Sequence, residues 1–239
     1  MPNHFIISAH PNPKSFIGAW ASASARAAAE LGAVAVSDLY AMQFDPVERA
    51  SNPLETQYRA SAGSAWADDV ALEIDKIRAA DVIVFHFPIW WFGAPAILKG
   101  WLDRCLVHGG LHDVDHRFDR GFCRGKTALF CVSTGATEVE VGPAGKEGRL
   151  DLLLWPLAYT LRYCGFEIAD PVAVHGVHGY WEGAQKAALE ARLTRVLDGQ
   201  PAVIRTLADR RRWRFNADTD FDTAGQLHPD AERIWPFIA

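Results

Sequence analysis

Val82-Ile83-Val84-Phe85-His86-Phe87-Pro88-Ile89-Trp90-Trp91-Phe92-Gly93-Ala94-Pro95-Ala96-Ile97-Leu98 places a strand, a loop and a helix in immediate succession. From Val82 to Phe87 every position but His86 is apolar, as expected of a strand covered on both faces. Pro88 ends that run, and Pro95 suits the first turn of a helix continued by Ile97-Leu98-Lys99-Gly100-Trp101-Leu102-Asp103-Arg104. Three consecutive aromatics, Trp90, Trp91 and Phe92, fall in the loop between them, where a buried core would not need them.

The same unit recurs on either side. His4 to Ala9 is a short apolar strand opening into His10-Pro11-Asn12-Pro13, and an alanine-rich helix from Phe16 follows, with Ser15 as its N-cap and Gly32 as its C-terminal cap. Ala33 to Val36 is a second strand, and Asp38 to Trp66 is a long polar connection. Asp68 to Ala80 carries Val70, Ile74 and Ile77 at helical spacing, Thr127 to Val132 is a fourth strand, and Leu150 to Cys164 is the helix after a glycine-rich loop. Phe166 to Val174 is a fifth strand interrupted by Pro171, Glu182 to Leu197 is a last amphipathic helix, and the final 40 residues show little regular pattern. This alternation predicts an α/β three-layer sandwich, a parallel sheet with helices on both faces. No GxGxxG follows the first strand, which counts against a dinucleotide-binding Rossmann half. A loop leading into Ser15 suits instead the flavodoxin-like order 2-1-3-4-5 in a five-stranded sheet, with ligands outside the carboxyl ends of the strands.

Composition narrows the function. The chain has 239 residues and a formal charge of −5, so no broad cationic field exists to collect nucleic acid. No apolar run approaches the length of a membrane span, and membrane insertion is not expected. The four cysteines form no CxxC pair and, with no secretory segment ahead of the first strand, are read as reduced thiols of a cytoplasmic protein. Metal ligation is not expected of the nine histidines. Arg210-Arg211-Arg212 reads as a solvated face, and neither a GxSxG elbow nor a P-loop is present.

In a sheet of this order the loops after strands one, three and four meet the ligand. The first offers Lys14, Ser15 and first-turn amides to an anion. The second offers aromatic faces along a path fixed by two prolines and a glycine, and the third, Ser133-Thr134-Gly135-Ala136, offers hydroxyls and close backbone approach. His10, His112, His175 and His178 fall in loops at the ligand end, whereas His86, inside strand three, reads as a satisfied core residue.

Three segments resemble the NAD(P)H:quinone oxidoreductases of the flavodoxin-like fold, the DT-diaphorase family. They are Ser37-Asp38-Leu39-Tyr40-Ala41-Met42-Gln43-Phe44-Asp45-Pro46, the stretch from Phe87 to Trp101, and Leu154-Trp155-Pro156-Leu157 followed by Tyr163-Cys164-Gly165-Phe166. With Ala9-His10 and Ser15-Phe16, the resemblance runs from residue 4 to about 198. It implies a flavin-binding domain over residues 1–200, a tail over 201–239 packed on that domain or on a dimer partner, and a homodimer with active sites at the interface. It also implies one flavin per subunit, FAD with FMN as the alternative, and ping-pong passage of a hydride from NADPH or NADH through flavin N5 to a quinone. On matching positions, His10, Ser15, Phe16, Ile17 and Gly18 would hold the phosphate side, with Gln57 reaching across from the other subunit. Pro88, Ile89, Trp90, Trp91, Phe92, Ser133, Thr134, Gly135 and Ala136 would hold the ring system. Trp91, Phe92 and Tyr163 would wall the substrate pocket.

The departures from the family bear on chemistry. Val141 and Glu147 stand where the family places a Tyr and a His beside the flavin, and two pocket tyrosines are replaced by His112 and Val114. Lys146 then becomes the candidate to stabilise a reduced anionic flavin, and Glu147 the candidate proton carrier. The altered pocket leaves room for two other functions: an azo- or nitroaromatic reductase on the same scaffold, or a flavin-binding regulatory subunit of a membrane transport system.

Overall fold

The computed structural model describes residues 1–48 and 66–234. Its elements are β1 (His4–Ser8), α1 (Phe16–Ala29), β2 (Val34–Asp38), α2 (Asp68–Ala79), β3 (Val82–Pro88), α3 (Ala96–Cys105), β4 (Thr127–Ser133), α4 (Leu150–Tyr163), β5 (Glu167–Ile168), β6 (Val172–Val174) and α5 (Gly183–Arg205). The sheet runs β2-β1-β3-β4-β5, every pair parallel, with β6 also paired to β4. The order 2-1-3-4-5 is the one the alternation predicts. The fifth strand comes in two pieces because Pro171 cannot donate to the ladder.

Side-chain alternation along the central strands divides the core in two. Phe5 and Ile7, Ile83, Phe85 and Phe87, and Ala128, Phe130 and Val132 face one way, against Ile74 and Ile77 of α2, Leu98, Trp101 and Leu102 of α3, and Leu154, Leu157 and Leu161 of α4. Ile6, Val84, Leu129 and Cys131 face the other way, against Ile17, Trp20 and Ala27 of α1 and Ile204 of α5. On the first face a charged group is buried: Glu73 of α2 accepts from Ser37 Oγ (2.9 Å), Lys76 Nζ (2.5 Å) and Trp101 Nε1 (2.8 Å). Those three donors compensate the desolvation that would otherwise exclude a carboxylate from this position.

Several sequence expectations change. The last helix does not stop at Leu197 but runs through Pro201 to Arg205. Buried Gln200 holds it there, accepting from Trp20 Nε1 (2.7 Å) and donating to Ser24 Oγ (2.8 Å), so tertiary bonding overrides the missing proline donor. Gly32 is not a left-handed cap; a Cβ at that position would collide with the Pro2 carbonyl. Of Arg210-Arg211-Arg212, Arg211 is solvated as expected, but the three together also form a clamp. Arg211 pairs with Asp170 (2.6 Å), Arg212 with Glu167 (3.3 Å), and Arg210 donates to the carbonyls of Asp170 and Pro171. Trp213 N–H donates to Ile168 O and Asp170 N–H to Arg211 O, so this segment covers the open edge of the sheet. His86 is buried against Trp20, but neither ring nitrogen has a hydrogen-bond partner among the described residues.

Candidate functional site

The loop between β1 and α1 is built around local bonds. His10 Nδ1 accepts from Asn12 N–H (3.1 Å), Asn12 Oδ1 accepts from Lys14 N–H (2.9 Å), and Ser15 Oγ accepts from Gly18 N–H (3.1 Å). A Cβ on Gly18 would stand 2.9 Å from Pro13 O, so glycine lets the helix begin against the loop. With the Gly18 amide taken by the cap, the first-turn amides of Phe16 and Ile17 have no intrahelical acceptor and are the donors left for an anion. The Ile17 side chain is buried in the core, so only its backbone can serve.

Beyond β3 the chain makes a two-residue hairpin. Trp90 N–H donates to Gly93 O (2.9 Å) and Gly93 N–H returns to Trp90 O (3.1 Å). Trp91 (φ 49°) and Phe92 (φ 62°) between them both hold left-handed backbone. Such a turn ordinarily selects Asn-Gly; two bulky aromatics here cost on the order of 1–3 kcal/mol each. The strain displays rings outward: Trp91 is 94% exposed, and His10 packs on Trp90 at 5.7 Å between centroids, joining the helix N-terminus to the hairpin.

The loop after β4 completes the floor. Thr134 Oγ1 donates to Ala136 O (2.8 Å) and lies 2.9 Å from His175 Nδ1, while Thr134 N–H donates to Val174 O at the end of β6, and Gly176 N–H and Val177 N–H, just beyond β6, donate back to Ala136 O and Thr134 O. Burial lowers the His175 pKa. Two hollows open over this floor and share Ile89, Trp91 and Gly135. One, about 480 Å3, is lined by Pro88, Ile89, Trp90, Trp91, Ser133, Gly135, Val177, His178 and Tyr180. The other, about 260 Å3, adds Phe92, Thr134, Ala136, Val141, Glu147 and Leu153. A Cβ on Gly135 would meet open space, so backbone and cavity are in direct contact there.

The structure thus brings most candidate residues together at the carboxyl ends of β1, β3 and β4, and leaves others out. Lys146 is exposed and turned to Glu140 (3.5 Å), away from the hollow that Glu147 lines. His112 and Tyr163 pack edge-on at 5.1 Å and share a separate recess of about 250 Å3 with Leu106, Pro156, Tyr159, Thr160 and Cys164. Burial is the main cause lowering the His112 pKa. Gln57 lies outside the described residues. The site also contains Val177 and Tyr180, which the sequence reading did not single out. The signal was available, because the loop after the fifth strand ends on the same edge of the sheet as the other three. His108, His112 and His116 recur every four residues, but in a loop and not on one helix face; His116 turns to Asp113 (2.8 Å) and stacks on Phe122. Among the described residues no three His, Cys, Asp or Glu side chains converge on a metal position, and no helix is long and apolar enough to cross a membrane.

The geometry suits a planar, phosphate-bearing ligand: free amides at a helix N-terminus, a flat aromatic wall, and a glycine floor with open space above it. A family model for the flavodoxin-like fold matches residues 2–198. A ribosyldihydronicotinamide dehydrogenase (quinone) of Rattus norvegicus is 36% identical over 205 residues, 80% of this chain and 89% of the relative. An NAD(P)H dehydrogenase (quinone) 1 of Cavia porcellus is 36% identical over 186 residues, 72% of this chain and 68% of the relative. Among solved structures, a Klebsiella pneumoniae protein provisionally named a quinone reductase superposes with a TM-score of 0.79 at 27% identity, covering 96% of this chain and 95% of its own. The general stress protein 14 of Treponema denticola, solved in complex with FMN, superposes with a TM-score of 0.62 at 25% identity, covering 86% and 99%.

Proposed function

The chain belongs to the flavodoxin-like family of these quinone-reducing relatives, and from that premise we propose that it is a flavin-dependent NAD(P)H:quinone oxidoreductase. The observation that supports this most directly is the contact of His10 with Trp90, which sets an anion-binding helix start beside an aromatic wall over a glycine floor. A bound flavin would supply the two-electron carrier between a nicotinamide donor and a quinone acceptor. The resemblance in sequence makes FAD the expected flavin.

In this reading the protein binds and orients. The amides of Phe16 and Ile17 take a phosphate, with Lys14 available to neutralise it. Ile89 and Gly135 bring backbone against the ring system, and the bonds tying Thr134, Ala136 and Val177 keep that floor rigid. Trp91 and Phe92 exclude water above it. In this reading Glu147, which lines the smaller hollow, carries a proton to or from the ligand, whereas the exposed Lys146 lies against Glu140 and does not line that hollow.

A second copy of the chain completes the site. Trp91 at 94% and Tyr180 at 88% exposure are large rings left open at the mouth of the cleft, and the His112–Tyr163 recess lies outside it, as a wall lent to a partner would. Initial rates with NADH or NADPH and a benzoquinone test the activity. Parallel double-reciprocal lines, with FAD in the supernatant of denatured protein, are expected; intersecting lines or a flavin-free protein that resists reconstitution overturns the proposal.

A further inference from the structure

The hydroxyl of buried Thr134, at the floor of the cleft, has one proton to give. Thr134 Oγ1 and the Ala136 carbonyl oxygen lie 2.8 Å apart, and two oxygens at that distance need a proton between them, so the hydroxyl donates to Ala136. Thr134 Oγ1 also lies 2.9 Å from His175 Nδ1. Its own proton spent, the hydroxyl accepts there, and His175 is the donor. Burial, opposed by Glu138 and reinforced by Arg192, lowers the His175 pKa and keeps the ring neutral at pH 7. A neutral imidazole carries one N–H, so that proton sits on Nδ1, and Nε2 keeps its lone pair. His175 lines neither hollow of the cleft; it lines a separate one, about 340 Å3, with Glu138, Trp181 and Arg192. Its ring therefore acts on the cleft through Thr134. The backbone at this junction is fixed as well: the Ala136 carbonyl also accepts from Gly176 N–H (2.8 Å), and Arg192 donates to the His175 carbonyl. The amides of Gly135 and Ala136, by contrast, have no acceptor among the described residues, and Gly135 faces open space.

We propose that His175 is a positioning residue of the cleft: through the Thr134 hydroxyl its Nδ1–H fixes the Ala136 carbonyl, and so the direction in which the free Gly135 and Ala136 amides meet a bound ring system. A carbonyl held by two donors cannot rotate without breaking both bonds, and a hydroxyl that accepts while it donates holds its own rotor. Fixed amides of this kind orient a planar ligand with acceptors along one edge, as an isoalloxazine has. This role rests on the reading of the cleft as a flavin site, whereas the Nδ1–H it requires is measurable with no flavin bound.

Flavin titration of the parent, H175N, H175L and T134V tests it. Asn can place its side-chain nitrogen where His places Nδ1, whereas Leu fills space without a donor and T134V removes the hydroxyl alone. H175N should bind FAD within about twofold of the parent, and H175L and T134V about three- to tenfold more weakly. The flavin absorption band should be displaced in those two and restored in H175N. A space-filling role predicts instead that H175L matches the parent. Nitrogen NMR of histidine-labelled protein, with the His175 signals identified by their absence in H175N, should show Nδ1 protonated and Nε2 bare above pH 7, with or without flavin. Protein that binds no flavin overturns the reading of the cleft, and the tautomer then still supports or overturns the bond to Thr134. An Nε2–H tautomer in the parent, or flavin affinity and spectrum unchanged in H175L, overturns the proposal.

Discussion

Two residue-scale features carry opposite kinds of cost. Trp91 and Phe92 store backbone strain at the mouth of the cleft, and relieving it separates stability from function. W91N/F92G gives the turn the residues its geometry selects, and urea denaturation should show it more stable by about 1 kcal/mol or more, while fluorescence titration shows weaker flavin binding. A less stable variant would mean that the rings are packing residues and not a ligand wall. His86 stores desolvation. Burial lowers its pKa from 6.5 to about 3, so below pH 6.5 the unfolded chain takes up a proton that the folded chain refuses. Its contribution is whole above pH 6.5 and is lost as pH falls towards 3, by about tenfold in the folding constant per pH unit. H86F should therefore have a flatter stability profile between pH 7 and 4 than the parent; parallel profiles would show that His86 reaches solvent.

Among the elements, α5 shows how a long-range bond decides a boundary. Q200L leaves Trp20 Nε1 and Ser24 Oγ buried without their partner and should destabilise the protein by about 1–3 kcal/mol, with the loss of helicity confined to the end of α5. Global melting at unchanged cooperativity with no such loss would put the clamp elsewhere. This also explains what could be read in advance. The strands were legible because Val82–Phe87 and Thr127–Val132 are apolar on both faces, and α1 because of its alanines and Ser15. The extension past Pro201 was not, since its cause is a glutamine 176 residues from its partner Ser24. Of the site, the loops after β1, β3 and β4 were legible from their unusual composition. The left-handed hairpin was not, because aromatic side chains give no local hint of a positive φ. Nor was the turning of Lys146 to Glu140, which depends on how a long glycine-rich loop folds on itself.

At the scale of the molecule, the sheet brings four loops to one edge while the arginine clamp seals another, leaving the ligand end open and the strand edge closed. R211A/R212A loosens that seal. It should lower the melting temperature only modestly, because these pairs are largely exposed, but raise the rate of aggregation on heating by uncovering β5. Unchanged aggregation would assign the covering to the backbone bonds of residues 211 and 213 alone. Light scattering should find a dimer that W91A weakens, as a cleft completed by a second copy requires. The central claim, that the cleft at the carboxyl ends of β1, β3 and β4 passes two electrons from a nicotinamide to a quinone, is tested most directly by an anaerobic absorbance titration. The protein is reconstituted with flavin, titrated with NADH or NADPH, and then given a benzoquinone. The account predicts a flavin band that bleaches with one equivalent of donor and returns in full with one equivalent of quinone. A flavin band that stays intact under excess nicotinamide would contradict it.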